Sequence, residues 1–332
     1  MTVKIYIKNQ LACIESLTHE LIKTFQDIGF IVSNGPKGSI KLAVSADEPP
    51  VAILLQEDDA DDNISGPIVA ADAFSIMDAL GLTSLERELS ESVTEGHTVD
   101  KVIIGFNWTM VRAGNLCGIA RSPDRGTEGA RTIRPSEGFS GKDLCDLAKY
   151  LLSTDPLHRS LGLAAVNCFW NRTEPPENTA LYVAPRGGLV SIDPPGNDAI
   201  IIGGFRGALN RLPNARIVER EPKPGDIPAH EAPKAYKSAK TLAITAQTLM
   251  NGSLTPILLA SQMVPYRILV GPTCPASPIL FGHGIDEVFG AVILDPDEAE
   301  RFIIEGGTMI MLDHIATTRT LRAVRSADKI KS

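Results

Sequence analysis

The feature that most constrains the fold is a series of five short apolar runs between residues 199 and 294. The runs are AIIIGGF, ARIVERE, TLAITA, YRILVG and EVFGAVIL, and each lies near a glycine or proline. Helical candidates lie between or beside them: RGALNRL, HEAPKAYKSA, NGSLTPILLASQM, ASPILFG and PDEAERFIIEG. Near-continuous apolar strands that alternate with helices predict a parallel, Rossmann-like sheet covered on both faces. Ligands bind beyond the carboxyl ends of such strands, so we expect a site in the loops that follow them.

Residues 1–75 predict a separate small α/β unit. Strand-like runs KIYIKN, IKLAVS and VAILLQ accompany an amphipathic helix at residues 14–28, which ends at Gly29. Five carboxylates then fall within residues 57–62. Such an oxygen-rich run could hold a hard cation. Clustered like charges usually mark a solvated loop, which is the interpretation that we favour.

The middle of the chain predicts an α+β unit. KVIIGFNWTMV and LCGIARSP predict a hairpin with its turn at residues 112–115, where glycine and asparagine permit the backbone conformation. Ser140 and Asp143 predict the start of a helix in GKDLCDLAKYLLS, and a second helix, LHRSLGLAAVNCFW, is expected after Pro156.

Proline-rich segments bracket residues 171–198, and we place the main domain boundary there. The predicted domains are residues 1–75, 76–195 and 196–332.

Composition excludes several classes of function. The net charge of −8, from 40 acidic and 32 basic residues, disfavours a general nucleic-acid binder. No apolar run approaches the roughly 18 to 20 residues that span a bilayer, and the first residues lack the apolar core of a signal peptide, so a cytoplasmic protein is expected. Five scattered cysteines without a CxxC pair indicate reduced thiols and disfavour structural zinc. Proteins with a cleft and of this size commonly form dimers, so a homodimer is a further expectation.

The loop after the first apolar run contains Gly203, Gly204 and Gly207 in IGGFRG, a partial dinucleotide fingerprint in which isoleucine replaces the first glycine. Glu219 follows Gly203 by sixteen residues, at the end of the next run, where a ribose-binding acid is expected. These residues, with Phe205, are candidates for binding a nucleoside-like or other small polar ligand. The alternatives are a tight turn that needs glycine and an acid that simply lies on the surface.

Two further loops carry candidate ligand groups. AQTLMNGSLTP offers Thr248, Asn251 and Gly252, and Asn251 could bind a ligand or only cap the following helix. GPTCPASP offers Gly271, Pro272, Thr273 and Cys274. A thiol near a helix N-terminus could act as a nucleophile or soft-metal ligand, so Cys274 is a catalytic and metal candidate, although most single cysteines are inert.

Polar groups in the middle of the chain are weaker candidates. Asn167 interrupts the apolar run LAAVNCFW, and a buried amide needs hydrogen-bond partners in a ligand, a neighbouring domain or its own core. We therefore keep Asn167 as a catalytic candidate beside its structural interpretation. Four arginines could attract an anionic substrate or simply occupy a solvated loop: Arg121, Arg125, Arg131 and Arg134.

Several phrases in order resemble the family described as "Putative heavy-metal chelation". They include GFNWTMV, GIARSP, AAVNCFWN, IIGGF, EREPKPGD, ITAQTLMNGSL and LVGPTCPASPILFGHGIDEVFGAVILD, and they span residues 76–310. The resemblance implies an enolase N-terminal-like α+β domain, a Rossmann-like domain and a site between them. It leaves residues 1–75 without a counterpart, and Cys274 stands where the family pattern has threonine. The matching positions are Asn167, Gly203, Gly204, Phe205, Glu219, Pro222, Thr248, Asn251, Gly252, Gly271, Pro272 and Pro275.

The leading hypothesis is a protein that binds a small polar or anionic molecule, such as a metal chelate or chelator precursor, between these two domains. Glu219 would orient hydroxyl groups or ligate metal. One alternative is an enzyme of condensation, hydrolysis or methyl transfer on a pterin-like or nucleoside-like substrate, with Glu219 and Asn167 near the reacting group as catalytic candidates. Another is a non-catalytic protein that sequesters metal. The cofactor is open, with a metal ion or a metal chelate as the candidates.

Overall fold

The computed structural model describes strands within residues 4–68, residues 83–123, 134–153, 155–174 and 176, the strand at 182–184, and residues 187–308 and 314–322. The predicted helix at residues 14–28, the acidic run at 57–62, Arg125 and Arg131 lie outside these described residues.

The described strands of the N-terminal region form one mixed sheet. They are β1 (Lys4–Lys8), β2 (Ile31–Val32), β3 (Ser39–Val44), β4 (Ala52–Leu55) and β5 (Pro67–Ile68). Their order is β2-β1-β3-β4-β5, with β1 parallel to β2 and β3, and β4 antiparallel to β3 and β5. Strands β1, β3 and β4 correspond to the three predicted runs.

A three-stranded antiparallel sheet follows helix α1 (Ser84–Glu91). Its strands are β6 (Lys101–Ile104), β7 (Trp108–Ala113) and β8 (Leu116–Arg121), in chain order. The predicted two-stranded hairpin was therefore wrong in one respect, because KVIIGFNWTMV contains two strands. The chain reverses after Ile104, and the N–H of Gly105 donates to the Trp108 carbonyl oxygen at 2.9 Å. Periodicity did not reveal this turn because apolar residues continue on both sides of it.

Two helical segments cover this sheet: α2 (Leu144–Ala148), which continues as a 3-10 helix over Lys149–Leu152, and α3 (Pro156–Trp170). The first begins at Asp143, whose side chain accepts the N–H of Cys145 at 3.1 Å. Ser140 instead donates to the carbonyl oxygen of Asp100 at 2.8 Å, so the expected paired cap was wrong for Ser140.

Helix α3 is the central element of this part of the structure, and twelve of its fifteen residues are buried. It begins as predicted, with Pro156 in the first turn and the Asp155 side chain accepting the N–H of Leu157 at 2.7 Å. Strand β8 lies directly against it at Gly118, where an added Cβ would be 2.0 Å from the backbone nitrogen of Cys168. Only glycine permits this approach.

Eight of the described strands form the largest sheet. They are β9 (Tyr182–Ala184), β10 (Ala199–Ile202), β11 (Arg216–Glu219), β12 (Ile227–Pro228), β13 (Thr241–Thr245), β14 (Tyr266–Val270), β15 (Glu287–Ile293) and β16 (Ala316–Arg322). The order is β12-β11-β10-β13-β14-β15-β16-β9, parallel from β12 to β15 and antiparallel at β16 and β9. All five predicted strands are present and parallel, so the predicted α/β fold class is confirmed.

The strand order reverses beside β10, because the chain adds β11 and β12 on one side and β13 onward on the other. This is the topological switch point of a doubly wound sheet, where the connections diverge and leave a crevice. The helices of this part are α4 (Ala232–Tyr236), α5 (Gln247–Asn251), α6 (Leu254–Ala260), α7 (Ile279–Gly282) and α8 (Pro296–Ile304).

Two predicted helices differ from the structure. RGALNRL forms a 3-10 helix over Arg206–Asn210, and NGSLTPILLASQM forms parts of α5 and α6. Helix α5 ends at Gly252, which has a φ of +74° in the left-handed region that glycine readily adopts.

The three-stranded sheet region and the large sheet region share apolar packing. One buried cluster contains Leu85 and Leu161 beside α2 and β8 together with Leu242 and Leu249 of the large-sheet region. Within the part of the chain that the structure describes, no helix combines the length and hydropathy needed to cross a membrane.

Candidate functional site

A cavity of about 560 Å³ lies at the switch point, where the carboxyl ends of β10, β11, β13 and β14 meet. Residues after these four strands line one side of it. Asn107, Trp108 and Arg121 of the three-stranded sheet, together with Thr308, also line the cavity. The lining residues after the parallel strands include Gly203, Gly204, Phe205, Glu219, Arg220, Ala246, Gln247, Thr248, Gly271, Pro272 and Thr273.

The turn after β10 brings the backbone close to the cavity. Gly203 has a φ of +109°, and an added Cβ would lie 2.9 Å from the Cβ of Thr245, so both conformation and space require glycine. A Cβ on Gly204 would lie 3.4 Å from Oε1 of Glu219, which shows that the turn and this carboxylate adjoin. The residues that follow form a 3-10 helix. The partial fingerprint therefore lacks the α-helix that receives a pyrophosphate in a dinucleotide site.

Glu219 is the half-buried carboxylate of the cavity wall. Burial raises the pKa of its carboxyl group above the ordinary value, and the positive charge of Arg206 partly opposes this effect. Arg206 itself pairs with Asp226, through Nη1 at 3.1 Å from Oδ1 and through Nη2 with Oδ2. Because the Arg206 guanidinium is paired with Asp226, the Glu219 carboxylate can still accept hydrogen bonds from a ligand in the cavity.

The loop after β13 contributes neutral polar groups. Thr248 is buried, and its hydroxyl donates to the carbonyl oxygen of Thr245 at 2.7 Å. Oδ1 of Asn251 accepts from the N–H and the hydroxyl of Ser253, at 3.0 and 2.6 Å. Asn251 therefore stabilises the start of α6, and its amide nitrogen is the group left to donate toward the cavity. Gly252 ends α5 and is not among the described residues that line the cavity.

The loop after β14 places its neighbouring candidates Thr273 and Cys274 in different surroundings. Pro272 and Thr273 line the cavity, whereas Cys274 is completely buried, with Sγ 3.6 Å from the Leu269 carbonyl oxygen. Burial raises the pKa of the Cys274 thiol far above its ordinary value. A nucleophile or soft-metal ligand must be a thiolate, so these surroundings argue against both hypotheses for Cys274.

Asn167 is also completely buried and lies behind the wall rather than on it. Its amide nitrogen donates to the carbonyl oxygens of Ile119 at 2.8 Å and Thr273 at 2.9 Å. One turn later, the Asn171 amide donates to the Cys274 carbonyl oxygen at 2.9 Å and accepts the N–H of Ala276 at 2.7 Å. These contacts support the structural interpretation of Asn167 over the catalytic one.

Several lining residues were not singled out for this site from the sequence, notably Trp108, Tyr236 and Thr308. Arg121 was one of four equivalent arginines, and the structure places its half-buried side chain at the cavity. Arg134 is exposed and donates to the carbonyl oxygens of Pro135 and Ser136. No local signal distinguished them, because their positions depend on how the two sheets pack.

The described residues contain no group of three or more His, Cys, Asp or Glu side chains that could hold a metal ion. The charged lining groups are Arg121 and Glu219, both half-buried, and the exposed Arg220. Apolar side chains also line the cavity, so it can accept a small organic molecule that carries polar groups.

Comparison with known proteins places the chain among structures of similar fold. Two family models, both described as "Putative heavy-metal chelation", match residues 86–169 and 190–322. A DUF364-family protein of unknown function from Desulfitobacterium hafniense DCB-2 is similar with a TM-score of 0.64 and 22% identity, over 74% of this chain and 99% of that one. A second such protein, from Pyrococcus horikoshii, has a TM-score of 0.59 and 15% identity, over 73% and 99%. No curated protein matches.

Proposed function

Because the chain belongs to the family described as "Putative heavy-metal chelation", we propose that its switch-point cavity binds a small organic ligand that chelates metal or is a precursor of such a chelator. The observation that carries the proposal is that the Glu219 carboxylate lies beside the Gly203–Gly204 turn on the cavity wall. In Rossmann-like folds an acid at the end of the second strand accepts hydrogen bonds from adjacent hydroxyl groups. Glu219 would accept such bonds from hydroxyl or N–H groups of the ligand.

The apolar part of the wall supports a ligand that contains a ring. Trp108, Phe205, Tyr236 and Ile257 line the cavity, and aromatic side chains bind flat rings by stacking or edge contacts. A volume of about 560 Å³ suits a molecule of nucleoside or pterin size. The ligand class that we propose is therefore a polar ring compound with hydrogen-bond donors at one end.

A bare metal ion fits the described residues less well. Glu219 is on the cavity wall, but Cys274 is buried elsewhere, so the two metal candidates do not form one site. The described residues also lack a cluster of three ligands of the usual kinds. We therefore propose that metal reaches this protein as part of a chelate, with the organic ligand making the contacts.

The domain division remains part of the proposal. The interval between the two matched segments, residues 170–189, overlaps the predicted boundary at residues 171–198. It supports a boundary within this interval. Because β9 (Tyr182–Ala184) pairs with β16 of the large sheet, we propose that the second domain begins before residue 182 and not at residue 196, with the cavity between the two domains.

Thermal-shift screening and calorimetry test the proposal with adenosine, S-adenosylmethionine, neopterin and zinc citrate. At least one compound should raise the melting temperature, and Glu219→Gln should weaken its binding about tenfold, the value of one lost charge-assisted hydrogen bond. Glu91→Gln, which removes an exposed carboxylate on α1, is the matched control. Binding that Glu219→Gln leaves unchanged, or stoichiometric binding of zinc alone, would contradict the proposal. Mass spectrometry of the recovered compound shows whether the ligand is consumed, which separates catalysis from binding.

A further inference from the structure

Arg121 is a cation at the cavity whose charge the described protein groups do not neutralise. It ends β8, is half-buried and lines the cavity. Its guanidinium contacts are neutral: Nη1 donates to the backbone oxygen of Asn107 at 3.2 Å and to its Oδ1 at 2.9 Å. Among the described residues, no carboxylate forms an ion pair with it. A partly desolvated cation without a counter-ion costs free energy, so the site favours an anion from outside.

The position of this guanidinium is fixed by contacts on several sides. The Asn107 amide nitrogen donates to the carbonyl oxygens of Gly306 at 2.9 Å and Gly307 at 3.2 Å, so its oxygen is directed to Arg121. The guanidinium carbon lies 5.9 Å from the centre of the Trp108 ring. The backbone N–H of Arg121 donates to the Thr273 hydroxyl oxygen at 3.1 Å, which fixes the main chain from which the side chain extends. Asn107 is therefore a positioning residue that holds one edge of the guanidinium and leaves Nε and Nη2 without a protein acceptor among the described residues.

The cavity is therefore lined by two groups of opposite charge. Glu219 comes from the large sheet and Arg121 from the three-stranded sheet, and no ion pair joins them in the described structure. Because no ion pair neutralises them, the Glu219 carboxylate can accept hydrogen bonds while the Arg121 guanidinium binds negative charge.

We infer that the ligand carries an oxyanion, either a carboxylate or a phosphate, which pairs with Arg121 while the donor groups of the ligand face Glu219. This inference rests on the proposed function for the choice of ligand class, and adds the charge that the ligand must have. The planar guanidinium suits both oxyanions, since each can accept two parallel N–H bonds. Exposed Arg220 adds positive charge near the same cavity.

Calorimetry with matched neutral and anionic probes tests the inference. The probes are adenosine, adenosine 5′-monophosphate and inorganic phosphate for the phosphate source, and citrate for the carboxylate source. We expect an oxyanion probe to bind the wild-type protein, and Arg121→Gln to weaken it about tenfold or more. In the phosphate case, the monophosphate should bind more tightly than adenosine, and Arg121→Gln should remove that preference.

Two further variants exclude trivial explanations. Arg134→Gln removes an exposed arginine elsewhere and should leave oxyanion binding unchanged. Asn107→Asp keeps the guanidinium but places a carboxylate beside it, so it should weaken oxyanion binding as Arg121→Gln does. It keeps the test decisive if Arg121→Gln does not fold.

The outcomes separate the two proposals. The inference is overturned if no oxyanion probe binds, or if binding survives both Arg121→Gln and Asn107→Asp. If adenosine binding depends on Glu219 while no oxyanion depends on Arg121, the inference fails alone. If an oxyanion depends on Arg121 while no compound depends on Glu219, the proposed function fails and the anion site stands.

Discussion

The side-chain amide of Asn167 donates a hydrogen bond of 2.9 Å to the carbonyl oxygen of Thr273, 106 residues further along the chain. The same nitrogen also donates to Ile119 on β8 at 2.8 Å. One amide thus joins α3, the three-stranded sheet and the loop after β14. Because Thr273 lines the cavity, Asn167 sets the position of one part of its wall from behind.

Asn167→Ala should lower the free energy of unfolding by about 2 to 4 kcal/mol, because it leaves two buried carbonyl oxygens without this donor. Urea denaturation measures the change. Asn214→Ala removes an exposed amide that bonds Asn197, and should change stability by less than about 0.5 kcal/mol. Similar stability of the two variants would show that the Asn167 contacts contribute little.

Gly118→Ala should destabilise the protein by about 3 kcal/mol or more, because the new methyl group would lie 2.0 Å from the Cys168 nitrogen and 2.3 Å from the Ala164 oxygen. Both neighbours are backbone atoms of a buried helix and cannot move separately. Gly282→Ala is the control, since nothing lies within 4 Å of an added Cβ there. A Gly118→Ala protein as stable as this control would mean that α3 and β8 are further apart.

Cys274 should resist alkylation by iodoacetamide at pH 8 in the folded protein. Its pKa is raised by complete burial, so the thiolate fraction at this pH is far below that of an ordinary cysteine, and the reagent has no access. Cys145, which is half-buried, should react first. Peptide mapping by mass spectrometry measures both sites. If Cys274 were modified as fast as Cys145, its thiol would be accessible and reactive, and the catalytic and metal-ligand hypotheses for Cys274 would stand again.

Glu219→Gln should raise the melting temperature of the unliganded protein at pH 8. The pKa of Glu219 is raised in the folded state, chiefly by burial, so the folded state favours the protonated form more than the unfolded chain does. The stability that protonation contributes is complete below the unfolded pKa, about 4.3 for glutamate, and is lost as the pH rises through the higher folded value. The advantage of Glu219→Gln should therefore shrink toward acid pH. An equal advantage at pH 4 and pH 8 would contradict this cause.

The parallel strands were predictable because strands covered on both faces consist of nearly continuous branched apolar residues. Strands β16 and β9 were not predicted. Strand β16 reads ATTRTLR and is partly exposed, so its sequence has no apolar run that would predict a strand. It is a strand because it pairs with β15 along its whole length. Strand β12 has only two residues, one of them proline, and is too short to produce a pattern.

The candidate site also contains residues that the sequence predicted and residues that it did not. Glu219 and the Gly203–Gly204 turn were expected to lie together, because parallel strands bring their carboxyl ends to one edge. Arg121 could not be distinguished from Arg134 by spacing, since both occur near the same glycine- and proline-rich stretch. The packing of the three-stranded sheet places Arg121 at the cavity and leaves Arg134 exposed.

By itself the sequence determined which segments become buried strands, where glycine must turn the chain, and therefore at which edge of the sheet a ligand could bind. Those properties depend on residues close together in the chain. Tertiary structure decided that Cys274 faces the core while neighbouring Thr273 faces the cavity, and that Asn167 supports the wall instead of forming it. The reason is that burial and hydrogen bonding of a polar group depend on atoms a hundred residues away, which only the packed chain brings into contact.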